Sequence, residues 1–303
     1  MLVLDRLSAL LLLLTAVLAT AALLFSLARW HRVGVYFHPL FQFLLVGLNG
    51  AFLTGDLFNL FVFFEVLLAA SYGLVLYGGG IARIKSGMHY VVINLAASFL
   101  FLIGVSLIYG VTGTLNLADL VLRIPLVAPG DRMLLETGAV VLALAFLVKA
   151  GMWPLSFWLP GAYAAAAAPA AAFFAIMTKV GIYAVLRLSL LLFGAGAGAS
   201  AGLADQWLLY GGMATIVFGM LGIFAAQDMA RMAGFAILIS TGTLLAAVGA
   251  NRPDVTAGAL FYLVISVLAL GAFYLVMELV ERGREFGADM LAVTREAFAD
   301  TDG

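Results

Sequence analysis

Nine apolar segments, each close to the length of a membrane-spanning helix, constrain this chain more than any other feature of its sequence. A helix needs about 20 predominantly apolar residues to cross the hydrocarbon core of a bilayer. We predict spans at 7–28, 38–55, 57–79, 88–110, 134–168, 169–193, 206–226, 232–250 and 256–280. Only 10% of the residues are charged, against about 25% in soluble domains. The chain is therefore predicted to be an all-α, polytopic membrane protein.

Several functional classes are disfavoured by composition. The chain has no cysteine, which excludes a disulfide framework, thiol catalysis and cysteine-based metal sites. Its three histidines, His31, His38 and His89, are scattered, so we predict no metal site, and no motif suggests a cofactor. The net charge is −1 without a basic tract, which gives no indication of a nucleic-acid partner.

The distribution of positive charge predicts the orientation in the membrane, because cytoplasmic loops carry an excess of lysine and arginine. If the loops at 29–37, 80–87 and 227–232 and the tail lie on one side of the membrane, that side holds eight such residues: Arg29, Arg32, Arg83, Lys85, Arg231, Arg282, Arg284 and Arg295. The other side holds five: Arg6, Arg123, Arg132, Arg187 and Arg252. We therefore predict a transmembrane domain over 1–280 and a charged cytoplasmic tail over 281–303.

The span at 134–168 is predicted to be discontinuous. Within Leu142–Pro160 the apolar run carries Lys149 and is then interrupted at Gly151 and Pro154. A broken helix at membrane depth must line protein or a watery cavity, since its freed backbone groups find no partner in lipid. The alternative is a short loop between two spans, with Lys149 at the membrane interface.

Three ionisable residues are predicted to lie near the middle of the bilayer: Glu65, Lys149 and Lys179. Lys179 is about ten residues into its span, or roughly 15 Å into a core about 30 Å thick. A buried charge is costly and is by default a sign of function. We predict a proton relay in which a Glu65–Lys149 pair opens and closes and Lys149 passes its proton to Lys179. The alternative is a static ion pair, with Lys179 bonded to a carbonyl group.

Other polar residues give weaker signals. Glu136 and Glu278 lie near predicted span ends and are candidates for a channel mouth or for simple interfacial positions. His89 opens a span after Arg83 and Lys85 and is a candidate group for proton uptake. Asn116–Ile124 is predicted to form a short helix along the interface.

Three long motifs indicate a family. They are GLNGAFLTGDLFNLFVFFEVLLAASYGLVLYGG at 47–79, INLAASFLFLIGVSLIYGVTGTLNLADL at 93–120, and FLVKAGMWPLSFWLPGAY with MTKVGIYAVLR within 146–187. The chain closely resembles the D subunit of the bacterial multisubunit Mrp-type (Na⁺ or K⁺)/H⁺ antiporters, which is related to the antiporter-like subunits of respiratory complex I. The resemblance covers essentially the whole chain. In that family the FFEV glutamate, the VKAG lysine and the TKVG lysine, which match Glu65, Lys149 and Lys179, are thought to move protons.

The resemblance also implies a fold of fourteen helices that contains two inverted five-helix repeats. About nine of those spans are expected here, from around the third to the eleventh, which suggests a fragment. Complex I relatives usually carry a histidine near Tyr163 and a lysine in the helix at 256–280. This chain has Tyr163 and an uncharged SVLALGAFYLV there, which favours the Mrp-type subunit.

Three functions follow as hypotheses. The first is a proton-translocating subunit of a monovalent cation/proton antiporter in the bacterial cell membrane, not an enzyme, with Na⁺ or K⁺ and H⁺ as its ions and other subunits as its partners. The second is a proton-pumping subunit of complex I or of a membrane-bound hydrogenase. The third is a structural membrane subunit, for which the buried charges would be dispensable.

Overall fold

The computed structural model describes residues 2–28, 30, 35–77 and 81–299, with only the backbone described in the helix beyond residue 280. The described residues form an all-helical bundle. Its helices, in chain order, are α1 Arg6–Ser26, α2 Phe37–Leu53, α3 Leu57–Val75, α4 Ile81–Thr112, α5 Leu117–Arg123, α6 Pro129–Ala150, α7 Leu159–Ala165, α8 Ala168–Leu186, α9 Asp205–Ala225, α10 Met229–Gly249 and α11 Pro253–Ala299.

Each of the nine predicted spans corresponds to one apolar helix, except that the predicted span at 134–168 corresponds to two. In the described part of the chain, eight helices are long and apolar enough to cross a membrane, and α2 is a shorter apolar helix of 17 residues. The predicted span 134–168 corresponds to α6 and α7 with an interruption between them. The short interfacial helix predicted at Asn116–Ile124 is α5. The polytopic all-α fold is therefore confirmed.

Short polar side chains set where several helices begin. The Asp5, Asp56, Asn116 and Asp228 side chains each accept a hydrogen bond from a backbone N–H in the first turn of the helix that follows. Such caps satisfy donors that have no partner within the helix. The caps of α3 and α5 also lie together, because Asp56 and Asn116 form an isolated backbone bridge.

Helix α8 is the centre of the bundle. All 19 of its residues are buried, and it contacts α1, α2, α6, α10 and α11. Alanine and glycine are frequent in its sequence, and small residues let membrane helices approach closely. A helix that is apolar on every side and fully surrounded cannot expose Lys179, so the fold itself determines that this lysine is buried.

Helices α6 and α8 approach closely at Gly181. A Cβ atom on Gly181 would lie 2.8 Å from the Ala150 backbone nitrogen and 2.9 Å from the Phe146 carbonyl oxygen. Both contacts are with backbone, which cannot rotate away as a side chain could. The absence of a side chain at Gly181 thus brings the segments that carry Lys149 and Lys179 together.

The predicted tail is the C-terminal part of α11, whose helix continues to Ala299. Arg29 and Arg32 lie outside the described residues, as do the side chains of Arg282, Arg284 and Arg295. The orientation inferred from positive charge therefore remains a prediction.

Gly181→Ala is expected to destabilise the protein by about 1–3 kcal/mol, the usual cost of overpacking a close contact. The physical reason is the pair of sub-3.0 Å backbone contacts that the new methyl group would make. Gly258→Ala is the matched control, because a Cβ there meets nothing within 4 Å and alanine favours a helix. Thermal unfolding of the full-length subunit in its complex would measure both. Equal midpoints for the two variants would contradict the close approach of α6 and α8.

Candidate functional site

A serine hydroxyl links Glu65 on α3 to Lys149 on α6. Ser98, on α4, donates a hydrogen bond of 2.5 Å from Oγ to the Glu65 Oε1 atom. The Lys149 Nζ atom donates to the same hydroxyl at 3.4 Å. Glu65 and Lys149 thus face each other as the sequence predicts, but Ser98 stands between them and they form no direct ion pair.

Lys149 is almost entirely enclosed by the bundle, with 5% of its surface exposed. Its Nζ atom lies 5.2 Å from the centre of the Phe64 ring, a distance at which a cation is attracted to the ring face. Phe64 precedes Glu65 in α3, so this helix supplies both the aromatic ring and the nearby carboxylate. The ammonium group is therefore stabilised by one hydroxyl, one ring and one acid linked through Ser98.

Lys179 belongs to a second group of polar side chains, built from α8, α10 and α11. Its Nζ atom donates to the Ser240 Oγ atom at 2.9 Å, and that hydroxyl donates to the Ser266 Oγ atom at 3.0 Å. Ser266 then donates to the Leu263 carbonyl oxygen at 3.0 Å. Lys179 is 0% exposed, so these hydroxyls replace the water that its ammonium group loses.

The two groups of polar residues lie on helices that touch. Ala150, next to Lys149, lies against Gly181, two residues beyond Lys179, where the backbones of α6 and α8 come close together. Among the residues that the structure describes, no hydrogen bond connects Lys149 with Lys179. The arrangement can hold a proton at either lysine, and a transfer between them needs a rearrangement or a bridging donor.

Helix α6 ends at Ala150, directly after Lys149, and the next helix begins at Leu159. Gly151 has φ 81° and ψ 40°, the left-handed conformation that glycine adopts without steric cost. The Gly151 and Met152 N–H groups both donate to the Leu147 carbonyl oxygen at 3.0 Å. The interruption therefore coincides with Gly151 and Pro154, where the sequence predicts a break.

Polar side chains from elsewhere satisfy the carbonyl groups freed by this interruption. Ala150 would accept from residue 154 in a continuous helix, but Pro154 has no N–H to donate. The Thr241 hydroxyl of α10 donates to the Ala150 oxygen instead, at 3.1 Å. The Trp158 indole N–H similarly donates to the Val148 oxygen at 3.3 Å. The break is thus held in place by tertiary hydrogen bonds.

The remaining sequence candidates lie away from these two groups. His89 is exposed near the start of α4, where its Nδ1 atom is 2.9 Å from the Lys85 carbonyl oxygen. Glu136 accepts from the Ser200 hydroxyl at 2.8 Å, and Glu278 accepts from the Trp30 indole at 3.0 Å. The structure therefore brings Glu65 and Lys149 together and leaves His89 at one end of the bundle.

The sequence reasoning missed the serines that contact the two lysines. Ser98 follows Asn94 by one helical turn, so a polar pair at spacing four in an apolar span is a signal that could have identified it. Ser240 and Ser266 give no sign of a lysine partner, because serine and threonine hydroxyls in membrane helices commonly bond to their own backbone, as Thr243 does here. Their role depends on how α8, α10 and α11 pack.

Comparison with known proteins then identifies the family. The sequence profile of the family described as NADH:quinone oxidoreductase/Mrp antiporter, transmembrane, matches residues 54–295. The chain belongs to this family. The matched range includes Glu65, Lys149, Lys179 and every serine described above.

Curated relatives of this Mrp antiporter-like chain are named as antiporter subunits. It is 64% identical over 301 residues to the probable D subunit of a K⁺/H⁺ antiporter of Rhizobium meliloti, covering 99% of this chain and 56% of the relative. It is 38% identical over 278 residues to the D subunit of a Na⁺/H⁺ antiporter of Bacillus subtilis, covering 90% of this chain and 55% of the relative. The chain thus spans little more than half the length of these relatives.

Solved structures of the family share the fold. A chain of the Mrp complex from Dietzia sp. DQ12-45-1b superposes with a TM-score of 0.81 at 31% identity, covering 90% of this chain and 50% of that one. A chain of respiratory complex I from Thermus thermophilus gives a TM-score of 0.78 at 26% identity, covering 92% and 57% respectively. The resemblance inferred from the sequence motifs is therefore confirmed.

Thr241→Val is expected to destabilise the protein by about 1–3 kcal/mol, the cost of leaving a buried acceptor unsatisfied. The variant keeps the shape of the side chain but removes the donor to the Ala150 oxygen. Thr243→Val is the matched control, since Thr243 donates to Ile239 within its own helix. Thermal unfolding of the full-length subunit in its complex would measure the difference. A midpoint for Thr241→Val no lower than that of the control would show that the hydroxyl does not support the break.

Proposed function

We propose that this chain is the proton-translocating part of the D subunit of a multisubunit monovalent cation/proton antiporter. The observation that carries the proposal is that two buried lysines each donate a hydrogen bond to a serine hydroxyl. One of these serines, Ser98, also links its lysine to Glu65. Intramembrane ionisable residues mark ion pathways. The names of the curated relatives support antiport over another membrane function.

In the proposed cycle Ser98 couples Glu65 to Lys149. A hydroxyl group has a single proton to donate, and the Ser98 Oγ atom lies 2.5 Å from Glu65 and 3.0 Å from the Asn94 carbonyl oxygen. While Ser98 donates to Glu65, the carboxylate stays close to the lysine and holds its proton on Nζ. When the hydroxyl turns to Asn94 and the carboxylate withdraws, Lys149 releases its proton.

Lys179 is the proposed acceptor. After a rearrangement or through a bridging donor, the N–H bond of protonated Lys149 breaks and a new N–H bond forms on neutral Lys179, which returns Lys149 to its neutral form. Charge repulsion between two cations at low dielectric would oppose protonation of both lysines at once. Ser240 and Ser266 then continue the proton path towards α11. His89, near the start of α4, is the proposed group for proton uptake.

A proton-pumping subunit of a redox complex is the second candidate. The structural likeness to a chain of respiratory complex I supports it. Tyr163 and the uncharged stretch 266–276 of α11 favour the antiporter subunit, because the resembling complex I subunits usually carry a histidine and a lysine at these places. Gene neighbours would separate the two, since a redox complex needs subunits that bind its redox centres.

The proposed setting follows from the same relatives. We infer other subunits of the complex as partners, Na⁺ or K⁺ and H⁺ as the exchanged ions, and the bacterial cell membrane as the location. The segment 281–303 is proposed to be cytoplasmic, in line with the distribution of positive charge.

Replacement of Lys149 tests the relay. In the full-length subunit within its complex, Lys149→Ala should reduce cation/proton exchange in vesicles to near background, because the central proton carrier is gone. Lys149→Arg should also be badly impaired, because arginine keeps the charge but does not release its proton at a working pH.

Assembly of the complex must be measured alongside transport in both variants. A static pairing role predicts the opposite outcome for arginine, which could still pair with Glu65 through Ser98. Normal exchange with Lys149→Arg in a fully assembled complex would therefore overturn the relay.

Ser98→Ala tests the hydroxyl link. Loss of a hydrogen bond to a charged group costs about 1.5–3 kcal/mol, so the exchange rate should fall on the order of tenfold or more. Ser106→Ala is the matched control, because Ser106 lies on the same helix, is exposed, and donates only to Leu102 of its own backbone. Vesicle exchange assays on both variants would measure this. Equal rates would remove Ser98 from the proposed mechanism.

A further inference from the structure

One end of the bundle contains a pocket of about 450 Å³ with a basic lining. It lies between the N-terminal parts of α4 and α10 and the residues that lead into α7. Six of its lining residues are Lys85, Ser86, His89, Phe157, Trp158 and Arg231. Its lining contains three basic side chains and no acidic one. The pocket is therefore suited to an anion.

The basic side chains have capacity for a further acceptor. Among the described residues, the Lys85 ammonium group has no hydrogen-bond or ion-pair partner. Arg231 uses its Nε atom for an ion pair with Asp228 at 3.4 Å, and its two terminal nitrogens have no described partner. The N-terminal ends of α4 and α10 add partial positive charge at the same place.

An apolar groove continues from this pocket. It has a volume of about 220 Å³ and shares His89 and Phe157 with the basic pocket, while Met88, Val92 and Ile93 complete its lining. A phosphate ion alone would not use such a groove, because it has no apolar surface to bury. The two features together require a ligand with a charged end and an apolar end.

The groove leads onto an exposed apolar stripe along α4. Met88, Val92, Leu95 and Phe99 are 52%, 57%, 42% and 67% exposed, and their spacing of four, three and four residues puts them on one helix face. At 1.5 Å per residue this stripe is about 16 Å long, close to the depth of one bilayer leaflet. An acyl chain lying along it would match the groove in length and chemistry.

We propose that this end of the bundle binds an anionic phospholipid. The headgroup phosphate binds Lys85 and Arg231 in the basic pocket, with His89 at its edge. One acyl chain lies in the apolar groove and follows the stripe on α4. Basic pockets between membrane helices are a recognised mode of binding anionic headgroups.

Lipid titration of the full-length subunit in its assembled, detergent-purified complex tests the site. Bound lipid is counted by native mass spectrometry, with phosphatidylglycerol and phosphatidylcholine of the same acyl chains as probes. We expect phosphatidylglycerol to bind more tightly than phosphatidylcholine. The double variant Lys85→Gln/Arg231→Gln should weaken phosphatidylglycerol binding on the order of tenfold to thirtyfold and weaken phosphatidylcholine binding much less, because the choline cation offsets the charge of its phosphate.

Arg123→Gln/Arg252→Gln is the matched control. It removes the same number of positive charges from two exposed arginines away from the pocket. Arg123 ends α5 and donates to the Thr112 oxygen at the C-terminal end of α4, while Arg252 lies between α10 and α11, and each arginine pairs with one aspartate. The control should keep the wild-type affinity for phosphatidylglycerol. An equal loss in both double variants would reduce the effect to general charge attraction and overturn the site.

Gly161→Leu tests the space inside the pocket without changing the charge of its lining. Gly161 also lines the pocket, and a Cβ atom there meets only the Ser86 hydroxyl, at 3.8 Å. The variant should fold with an unchanged unfolding temperature, fill the pocket and weaken phosphatidylglycerol binding at least tenfold. Unchanged binding in this variant, or displacement of the lipid by inorganic phosphate alone, would overturn the proposal.

Discussion

The need to stabilise two ammonium groups inside an apolar bundle governs the arrangement of its centre. A charge in hydrocarbon costs roughly 2.5–3.5 kcal/mol on insertion scales, and Lys149 and Lys179 are both almost completely enclosed by the bundle. Each is met instead by a serine from a neighbouring helix, Ser98 or Ser240. Serine is small enough to lie between packed helices, and its hydroxyl both accepts from an ammonium group and donates onward.

The interruption between α6 and α7 leaves a backbone carbonyl group next to Lys149 that also needs a hydrogen-bond donor. Because Pro154 cannot donate to Ala150, the freed carbonyl must be satisfied by another helix, and Thr241 of α10 does so. Lys149 directly precedes Ala150, the residue whose carbonyl group is freed. The same tertiary contacts that stabilise the break therefore fix the backbone from which Lys149 projects.

Close approach of α6 and α8 connects the two lysines without a direct bond between them. Gly181 permits backbone contact there, while the ammonium groups are turned towards different partners, Glu65 through Ser98 and Ser266 through Ser240. Two separately stabilised positions for a proton on touching helices are what a stepwise carrier requires.

The amino-acid sequence by itself determined the class of fold, the nine apolar segments and the discontinuous helix, and it placed the three ionisable residues within apolar segments. Each follows from a local property: segment length, apolar content, the missing N–H of Pro154, or the position of a charge within a segment. Only the tertiary structure decided that Glu65 and Lys149 meet through Ser98 and that Lys179 bonds to Ser240. These contacts join residues 33 to 61 positions apart, and a lone serine in an apolar helix carries no local sign of which neighbour it will face. The packing of α4 and α10 around the central helices supplies that information, because it alone fixes which face of each helix is turned inward.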